Sequence, residues 1–275
     1  TIKMAYNLLK GKRGIITGAL DQNSIAWKVA EKAHEEGATF VLTNAPIAMR
    51  MGEINGLAEK TNSKIIPADA TSVEELTNLF TESQQILGGK IDFVLHSIGM
   101  SVNIRKKIAY PELNYDYYAK GVDVSAMSLH KMLSVAYNMD ALNEEASVVA
   151  LTYAAAQRTY PFYTDIADIK ALLESIARSF GYHYGLKNRV RVNTVSQSPT
   201  KTTAGTGIKG FGDFFDYANA IAPLGNASAE DCANYCITLF SDLTKMVTMQ
   251  NLFHDGGYST TGVSDLIMKK AGIAE

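Results

Sequence analysis

Short apolar runs rich in β-branched residues alternate along the chain with longer segments in which apolar positions recur every three or four residues. Most of the short runs are apolar at consecutive positions rather than at every second one, which is typical of strands buried on both faces of a parallel sheet. They predict seven strands, at residues 13–18, 39–44, 64–68, 91–97, 147–152, 189–195 and 248–253.

The longer segments predict helices between the strands, at residues 24–36, 72–87, 164–184 and 229–240. Ser24 is placed to cap the first helix, and Ser72 with Glu75 fits a capping box at the second. Alternation of strand and helix indicates right-handed crossovers with helices on both faces of the sheet. Because no repeat, low-complexity tract or linker divides the chain, we expect a single α/β domain over residues 1–275, with a Rossmann-like, doubly wound, parallel seven-stranded sheet.

Composition excludes some partners. The formal net charge is -2 and charged residues make up 20% of the chain, so neither nucleic acid nor a membrane is an expected partner. The two cysteines, Cys232 and Cys236, lie four residues apart in the last predicted helix, with no cluster of zinc ligands nearby in sequence. They predict two buried thiols and no metal site, which suits a cytoplasmic protein.

The loops at the carboxyl ends of the strands are where an open α/β sheet binds its ligand. After the first strand, Gly18 lets the backbone approach a phosphate, and free N–H groups near Ser24 and Ile25 could bind it. The usual GxGxxG motif is absent, so an ordinary strand-to-helix turn explains this loop better when it is taken alone.

Three further loops, at Asp69, at Ser97–Gly99 and at Asn44, favour the binding of a dinucleotide. Asp69, beside Ala70, could accept from an adenine amino group, although a helix N-cap near Thr71 is an equal explanation. Ser97, Ile98 and Gly99 end the fourth strand, where a glycine gives room to a ribose or nicotinamide and a plain turn is the alternative.

Asn44 ends the second strand, at the place where an NAD-binding chain often carries an acidic residue. It could contact the adenosine end of a cofactor, although it has no charge. No Arg or Lys lies within the next five residues to grip a 2′-phosphate. The sequence therefore favours NADH over NADPH, but only weakly.

The segment after the fifth strand carries candidate acid–base chemistry. Tyr163 and Lys170 are seven residues apart, which would place them on one helix face about two turns apart. Lysine side chains lean toward the helix N-terminus, so the ammonium is expected to approach Tyr163 and favour its phenolate. Tyr153 lies where the strand ends. The chain has 14 tyrosines, so one of them could lie near a lysine by chance. The location of Tyr163 and Lys170 after the fifth strand argues against this alternative.

The spacing Tyr153-x9-Tyr163-x6-Lys170, together with His96-Ser-Ile-Gly99, resembles the signature of bacterial enoyl-acyl-carrier-protein reductases of the NADH type, within the short-chain dehydrogenase/reductase superfamily. The resemblance covers nearly the whole chain. Carbonyl reductases of that superfamily pair Tyr-x3-Lys, whereas here Ile166 stands at the tyrosine position. The resemblance therefore implies reduction of a C=C bond beside a thioester, with hydride going from NADH to the β-carbon.

The resemblance also implies roles for individual residues. Tyr163 would hydrogen-bond the thioester oxygen, Lys170 would hold the nicotinamide ribose, and Tyr153 would orient the substrate or help return a proton. Implied cofactor contacts are Gly18, Ser24, Ile25, Asn44, Asp69, Ala70, Ser97, Ile98, Gly99, Lys170, Thr200, Lys201, Thr202, Thr203 and Ala204. Implied substrate contacts are Ser101, Tyr153, Tyr163, Ile166, Ile208 and Phe211. For Ile166, Ile208 and Phe211, ordinary core packing is an equal explanation.

Several further expectations follow from the same resemblance. Residues 202–215 are expected to form a mobile segment that covers the substrate. The partner would be an acyl carrier protein, and the chain would form a homotetramer. Basic residues 105–107 could dock the carrier, although a solvated charge run explains them better. Gln197-Ser198-Pro199 stands where members of the family usually carry Ala-Gly-Pro, so the resemblance breaks at Gln197 and Ser198. Two alternative functions stay open: another short-chain reductase that acts on a carbonyl or an activated alkene, and a noncatalytic NAD(H)-binding sensor.

Overall fold

A single parallel sheet organises the chain in a computed structural model that describes residues 5–50, 53–206 and 210–273. Its strands lie in the order β3-β2-β1-β4-β5-β6-β7, and every neighbouring pair is parallel. The strands are β1 (Arg13–Thr17), β2 (Thr39–Thr43), β3 (Lys64–Ile65), β4 (Ile91–His96), β5 (Leu142–Thr152), β6 (Arg191–Gln197) and β7 (Asn251–His254). The strand order reverses between β1 and β4, which is the switch point where such sheets bind ligands.

Helices connect the strands and cover both faces of the sheet. In chain order they are α1 (Ile25–Glu35), α2 (Pro46–Met49), α3 (Ile54–Thr61), α4 (Val73–Leu87), α5 (Val102–Arg105), α6 (Tyr115–Val122), α7 (Ser128–Asn138), α8 (Thr164–Asn188), α9 (Thr203–Thr206), α10 (Phe211–Ile221), α11 (Ala229–Phe240) and α12 (Asp265–Lys270). The predicted α/β fold with its doubly wound seven-stranded sheet is confirmed.

Two cores form because successive strand residues point to opposite faces of the sheet. In β1, Ile15 packs into the core beneath α4, α7 and α8, and its neighbour Ile16 packs into the core beneath α1, α3 and α11. Phe93 and Val94 of β4 divide in the same way. Both faces are therefore apolar, which explains why the strands are continuous apolar runs in the sequence.

A helical region between β4 and β5 was not predicted from the sequence. There α6 continues through a π-helical turn at Asp123–Met127 directly into α7. A π turn inserts an extra residue and shifts the phase of the helical repeat, so the apolar positions do not follow one 3.6-residue period. The buried hydroxyls of Ser125 and Ser128 face the end of β4 from this region.

The smaller expectations fared differently. Cys232 and Cys236 are free thiols buried in α11, as predicted. The capping box at Ser72 is only half formed: Ser72 accepts from the backbone of Glu75, whose carboxylate accepts from the backbone of Asp69 instead. Across the described residues, no helix combines the length and apolar character needed to cross a membrane.

Candidate active site

The loops after β1, β2 and β3 enclose a pocket at the carboxyl edge of the sheet. Its lining includes five residues predicted to contact a cofactor: Gly18, Asn44, Asp69, Ala70 and Ile98. Gly18 has φ +85, and a Cβ there would lie 1.9 Å from the carbonyl oxygen of Ser97. Only glycine allows the loops after β1 and β4 to approach this closely.

The polar side chains around this pocket mainly shape its loops. Asn44 donates to the carbonyl of Ala19 at 3.0 Å, which joins the loop after β2 to the loop after β1. Asp69 accepts from the backbone and the hydroxyl of Thr71 through one carboxylate oxygen, so it organises a turn rather than capping α4. These contacts keep the pocket walls in place before any ligand binds.

The helix α1 begins at Ile25, seven residues after Gly18. Ser24 occupies the N-cap position but does not cap the helix, since its hydroxyl donates to the carbonyl of Asp21 at 2.7 Å. The first-turn N–H groups near Ile25 therefore receive no acceptor from that side chain, and a helix N-terminus of this kind attracts a phosphate.

The ammonium of Lys170 lies at the carboxyl end of β5. It donates to the carbonyl of Leu151 at 2.8 Å and lies 3.7 Å from the point that a Cβ on Gly99 would occupy. Burial lowers the pKa of Lys170 to about 8, although the nearby carboxylate of Glu174 opposes this shift. Lys170 and Gly99 thus lie side by side at the carboxyl ends of β4 and β5.

Tyr153 and Tyr163 stack, with ring centroids 4.9 Å apart and planes inclined by 23°. The Tyr153 hydroxyl is buried and has no hydrogen-bond partner among the described residues. Burial raises the pKa of both phenols, so both are protonated at neutral pH. An unpartnered buried donor next to a second phenol is a group placed to meet a ligand atom.

The expected influence of Lys170 on Tyr163 differs in the structure. Tyr163 lies one residue before α8 begins, and the next residue, Thr164, has φ +39, so the helical spacing does not extend back to the tyrosine. The lysine ammonium bonds to Leu151, and burial makes Tyr163 a weaker acid than a free tyrosine. The expectation that the cation favours phenolate is therefore wrong for this state of the protein.

Glu174, one turn after Lys170 on α8, is a residue that the sequence did not single out. Its buried carboxylate accepts from the hydroxyl of Thr152 at 2.9 Å and from the side-chain amide of Gln157 at 3.0 Å. These two residues flank Tyr153. Glu174 therefore fixes the segment that carries Tyr153 against the helix that carries Lys170.

An aromatic cluster covers the tyrosine pair and borders a cavity of about 740 Å³. Tyr160 lies 5.6 Å from Tyr153, and Phe214 lies 6.1 Å from Tyr163, measured between ring centroids. Both rings also line the cavity, together with Phe162, Tyr217, Ile221 and Tyr258. The cavity therefore lies directly behind the aromatic wall of the candidate catalytic pair.

The predicted substrate residues divide in the structure. Ile166 packs against the main core beneath α8, and Phe211 is buried beside Phe215; neither belongs to the described lining of the cavity. Core packing, the alternative kept open for both, is what their positions support. Ile208 lies outside the described residues. Ser101 is buried, and its hydroxyl hydrogen is donated to Asp165 at 2.6 Å rather than being available to a substrate.

Asp165 is the centre of a buried polar cluster that the sequence did not reveal. Its carboxylate is fully buried and accepts from the hydroxyls of Ser101 and Thr164 and from the amide of Asn103, at 2.6, 3.0 and 2.7 Å. Ser101 and Asn103 belong to the segment after β4. Asp165 therefore fastens that segment to the start of α8, two residues beyond Tyr163.

His96 and its neighbours hold the end of β4 from the other side. Its Nε2 lies 2.8 Å from the hydroxyl of Ser128, and Ser125 both accepts from and donates to the backbone of Met100. Burial, reinforced by the charge of Lys170, lowers the pKa of His96 to about 3, so this imidazole is neutral at physiological pH. It contributes position rather than charge to the segment Ser97–Gly99.

The loop after β6 reaches back over the carboxyl edge of the sheet. Thr203 donates to the carboxylate of Asp21 at 2.6 Å, which connects this loop with the loop after β1. The ammonium of Lys201 lies 4.5 Å from the ring centroid of Phe215. Thr200 and Thr202 are part of the same loop; the side chain of Ala204 lies outside the described atoms.

The loops at the carboxyl edge of the sheet, together with Lys170 and the stacked tyrosine pair after β5, indicate a nicotinamide-dependent reductase of the short-chain type. The family model described as enoyl-(acyl carrier protein) reductase matches residues 18–259. The enoyl-acyl-carrier-protein reductase (NADH) FabI of Rickettsia bellii (strain RML369-C) is 32% identical over 266 residues, covering 96% of this chain and 100% of the relative. This chain belongs to the enoyl-acyl-carrier-protein reductase family, and the predicted family is confirmed.

Solved structures agree with this assignment. The crystal structure of the FabI–NADH complex from Alistipes finegoldii superimposes with a TM-score of 0.95 at 61% identity, over 96% of this chain and 93% of that chain. The enoyl-acyl-carrier-protein reductase (NADH) of Aquifex aeolicus VF5 has a TM-score of 0.86 at 28% identity, over 93% of this chain and 99% of that chain. The similarity therefore extends over the whole fold and is not confined to the cofactor-binding half.

Proposed function

We propose that this chain reduces the C=C bond of a trans-2-enoyl thioester with NADH and forms the saturated acyl thioester of fatty-acid elongation. The observation that carries the proposal is the stacked pair Tyr153 and Tyr163, with a buried, unpartnered hydroxyl, beside Lys170 at the carboxyl end of β5. Family membership supports the same reaction.

The residues present fit a dinucleotide. The pocket at Gly18, Asp69 and Ala70 suits the adenosine, the uncapped start of α1 near Ile25 suits the pyrophosphate, and Lys170 suits the ribose. Asn44 carries no charge, and the relatives named above are NADH enzymes. NADH supplies the hydride that goes to the β-carbon of the substrate.

Tyr163 acts on the thioester oxygen. Because burial keeps its phenol protonated, it donates a hydrogen bond that strengthens as negative charge develops on that oxygen. Tyr153 offers a second buried hydroxyl, which orients the substrate or takes part in returning a proton to the α-carbon. Lys170 contributes a cation that holds the ribose, and Glu174 keeps the two elements that carry these groups in register.

The acyl chain is proposed to enter the aromatic cavity behind Tyr160 and Phe214, whose walls are largely apolar. An acyl carrier protein is proposed to present the acyl thioester; the exposed basic residues 105–107 are better explained as a solvated charge run and are not assigned to its docking. We expect a homotetramer, consistent with the exposed apolar side chains of Tyr182 and Leu186 on α8. Buried, unpaired thiols support a cytoplasmic location.

A spectrophotometric assay tests the proposal. Crotonyl thioester and acetoacetyl thioester are each supplied with NADH and with NADPH, and oxidation of the cofactor is followed. We expect turnover with crotonyl thioester and NADH, and a loss of roughly 10²–10³ in kcat for Tyr163→Phe, with NADH binding retained. Tyr6→Phe changes an exposed tyrosine that precedes β1 and is the matched control. NADH binding without turnover of any enoyl thioester contradicts the proposed reaction.

A further inference from the structure

The side chain of Gln197 is built into the base of the loop after β6. It is the last residue of that strand, pairs in register with His254 of β7, and is only 4% exposed. Its Nε2 donates to the hydroxyl of Thr200 at 3.0 Å and lies 3.4 and 3.3 Å from the carbonyl oxygens of Ala227 and Ser228. A single amide thus joins the loop after β6 to the start of α11.

His254 fixes the orientation of that amide. Its Nδ1 lies 2.6 Å from Oε1 of Gln197, and since an amide oxygen can only accept, the imidazole must donate from Nδ1. The imidazole is itself held by stacking on Tyr235, with ring centroids 5.0 Å apart and planes inclined by 14°. The direction of donation therefore runs from His254 to Gln197 and on to Thr200.

The same sequence of bonds continues into the loop. Thr200 donates its hydroxyl hydrogen to the carbonyl of Ser198 at 2.9 Å, and the Ser198 hydroxyl accepts from the backbone of Ala227 at 2.8 Å. Gly205, in α9, packs so closely that a Cβ there would lie 3.0 Å from the carbonyl oxygen of Thr200. The conformation of residues 198–200, and the packing of Gly205 against them, therefore depends on where Gln197 holds Thr200.

This segment lies over the nicotinamide half of the proposed cofactor site. The adenosine pocket occupies the ends of β1, β2 and β3, so a dinucleotide that crosses the switch point has its other end at β4, β5 and β6, beside Lys170 and Tyr163. An alanine in place of Gln197 would have no group that could donate to Thr200 or receive the bond from His254.

We propose that Gln197 is a positioning residue for the nicotinamide end of bound NADH, acting through Thr200 on the loop after β6. The inference rests on the proposed location of the cofactor and not on the identity of the acyl substrate. Gln197 contacts neither reactant in this account. Its effect is to hold the loop after β6 in the conformation that binds the cofactor, so that ordering this loop costs less conformational entropy when NADH binds.

The test compares Gln197→Met, which keeps the volume but loses the polar contacts, with Gln197→Ala. We expect NADH to bind about tenfold more weakly to both, which is the loss of one well-placed buried hydrogen bond. Binding is measured by fluorescence titration without acyl substrate. Hydrogen exchange of amides in residues 198–206, measured without cofactor, should become faster, whereas kcat at saturating NADH changes by less than about threefold.

Asn193 supplies a matched control on the same strand. Its buried amide donates to Val247 and accepts from Gln250, but at the opposite end of β6. Asn193→Ala should lower the melting temperature and leave NADH affinity unchanged. His254→Phe keeps the ring beside Tyr235 and removes the donor to Gln197. It should weaken NADH binding, as Gln197→Met does, and the double variant should bind NADH little more weakly than Gln197→Met alone.

Two results would overturn the proposal. One is an NADH dissociation constant within twofold of wild type in Gln197→Met, with exchange of residues 198–206 unchanged. The other is an equal loss of NADH affinity in Asn193→Ala, which would make the effect one of general stability. Failure of the proposed reaction is distinguishable, since it would appear as a wild-type protein that binds NADH normally and reduces no enoyl thioester.

Discussion

Replacing Asp165 by alanine removes the acceptor from three buried donors at once. The partners of its carboxylate, Ser101, Asn103 and Thr164, are all uncharged, and the carboxylate is fully buried. Each donor left without an acceptor costs roughly 1–3 kcal/mol. Removing a buried charge returns several kcal/mol of desolvation, so the two effects partly cancel. We expect Asp165→Ala to lose about 3 kcal/mol of unfolding free energy.

Asp165→Asn keeps the shape of the side chain but places an amide donor where a donor already points. It should lose about 2 kcal/mol, because one of the two oxygens that accept from Ser101, Thr164 and Asn103 is replaced by nitrogen. The measurement is urea unfolding at one fixed protein concentration, since subunit association would otherwise change the apparent stability. Turnover should fall as well, because Asp165 lies two residues from Tyr163.

Asp168 is the matched control on the same helix. Its carboxylate accepts from the hydroxyls of Tyr110 and Tyr118 at 3.0 and 3.2 Å, but Tyr110 is exposed, so water replaces a lost bond. Asp168→Ala should lose less than about 1 kcal/mol. The reasoning is refuted if Asp165→Ala unfolds within about 1 kcal/mol of wild type, or if the two alanine variants lose the same amount.

Three other outcomes follow from groups in and around the site. The lowered pKa of Lys170 predicts that kcat/KM falls as pH rises through about 8, which initial rates against pH measure. The free energy of unfolding should rise between about pH 8 and 10.5, because the unfolded chain keeps the proton that the folded chain releases. Activity and stability profiles that stay flat to about pH 9.5 would contradict this prediction. Gly18→Ala should weaken NADH binding and lower the free energy of unfolding by roughly 2–4 kcal/mol. Gly56→Ala, at a glycine with open space around it, should do neither. Equal melting temperatures of the two variants would count against the steric argument. Buried Cys232 and Cys236 should resist a thiol reagent until the protein unfolds, and fast labelling of the native protein would show that α11 opens.

The strands could be predicted because their signal is local. All seven are present, since burial on both faces makes each a continuous apolar run, as at Phe93 and Val94. Their ends moved by a few residues, and β3 shrank to Lys64–Ile65. The positions of Gly18 and Lys170 at the carboxyl edge of the sheet followed from the strand pattern and the loop rule.

The side-chain contacts of the site could not be predicted in this way. The stacking of Tyr153 on Tyr163 and the convergence of three donors on Asp165 join residues from separate segments, and no spacing along the chain encodes them. Gln197 departs from the pattern that the family resemblance implies, but its partner His254 lies 57 residues away, so no local pattern pairs the two. The sequence predicted that Tyr163 and Lys170 share one helix, but α8 begins only at Thr164, whose positive φ keeps Tyr163 outside the helical repeat.

The π-helical turn at Asp123–Met127 restricts how this chain can vary in length. Ser125, inside the turn, holds the backbone of Met100, and Ser128, just beyond it, holds His96. A π turn accommodates one extra residue without rotating the helical segments on either side of it. Deleting one residue between Ser125 and Ser128 would therefore close the turn to regular α-helical pitch and leave both hydroxyls facing the end of β4. Deleting one residue within α7, which holds no extra residue, would instead rotate the residues beyond it by about 100° around the helix axis. A one-residue deletion is therefore better tolerated at the π turn than inside α7.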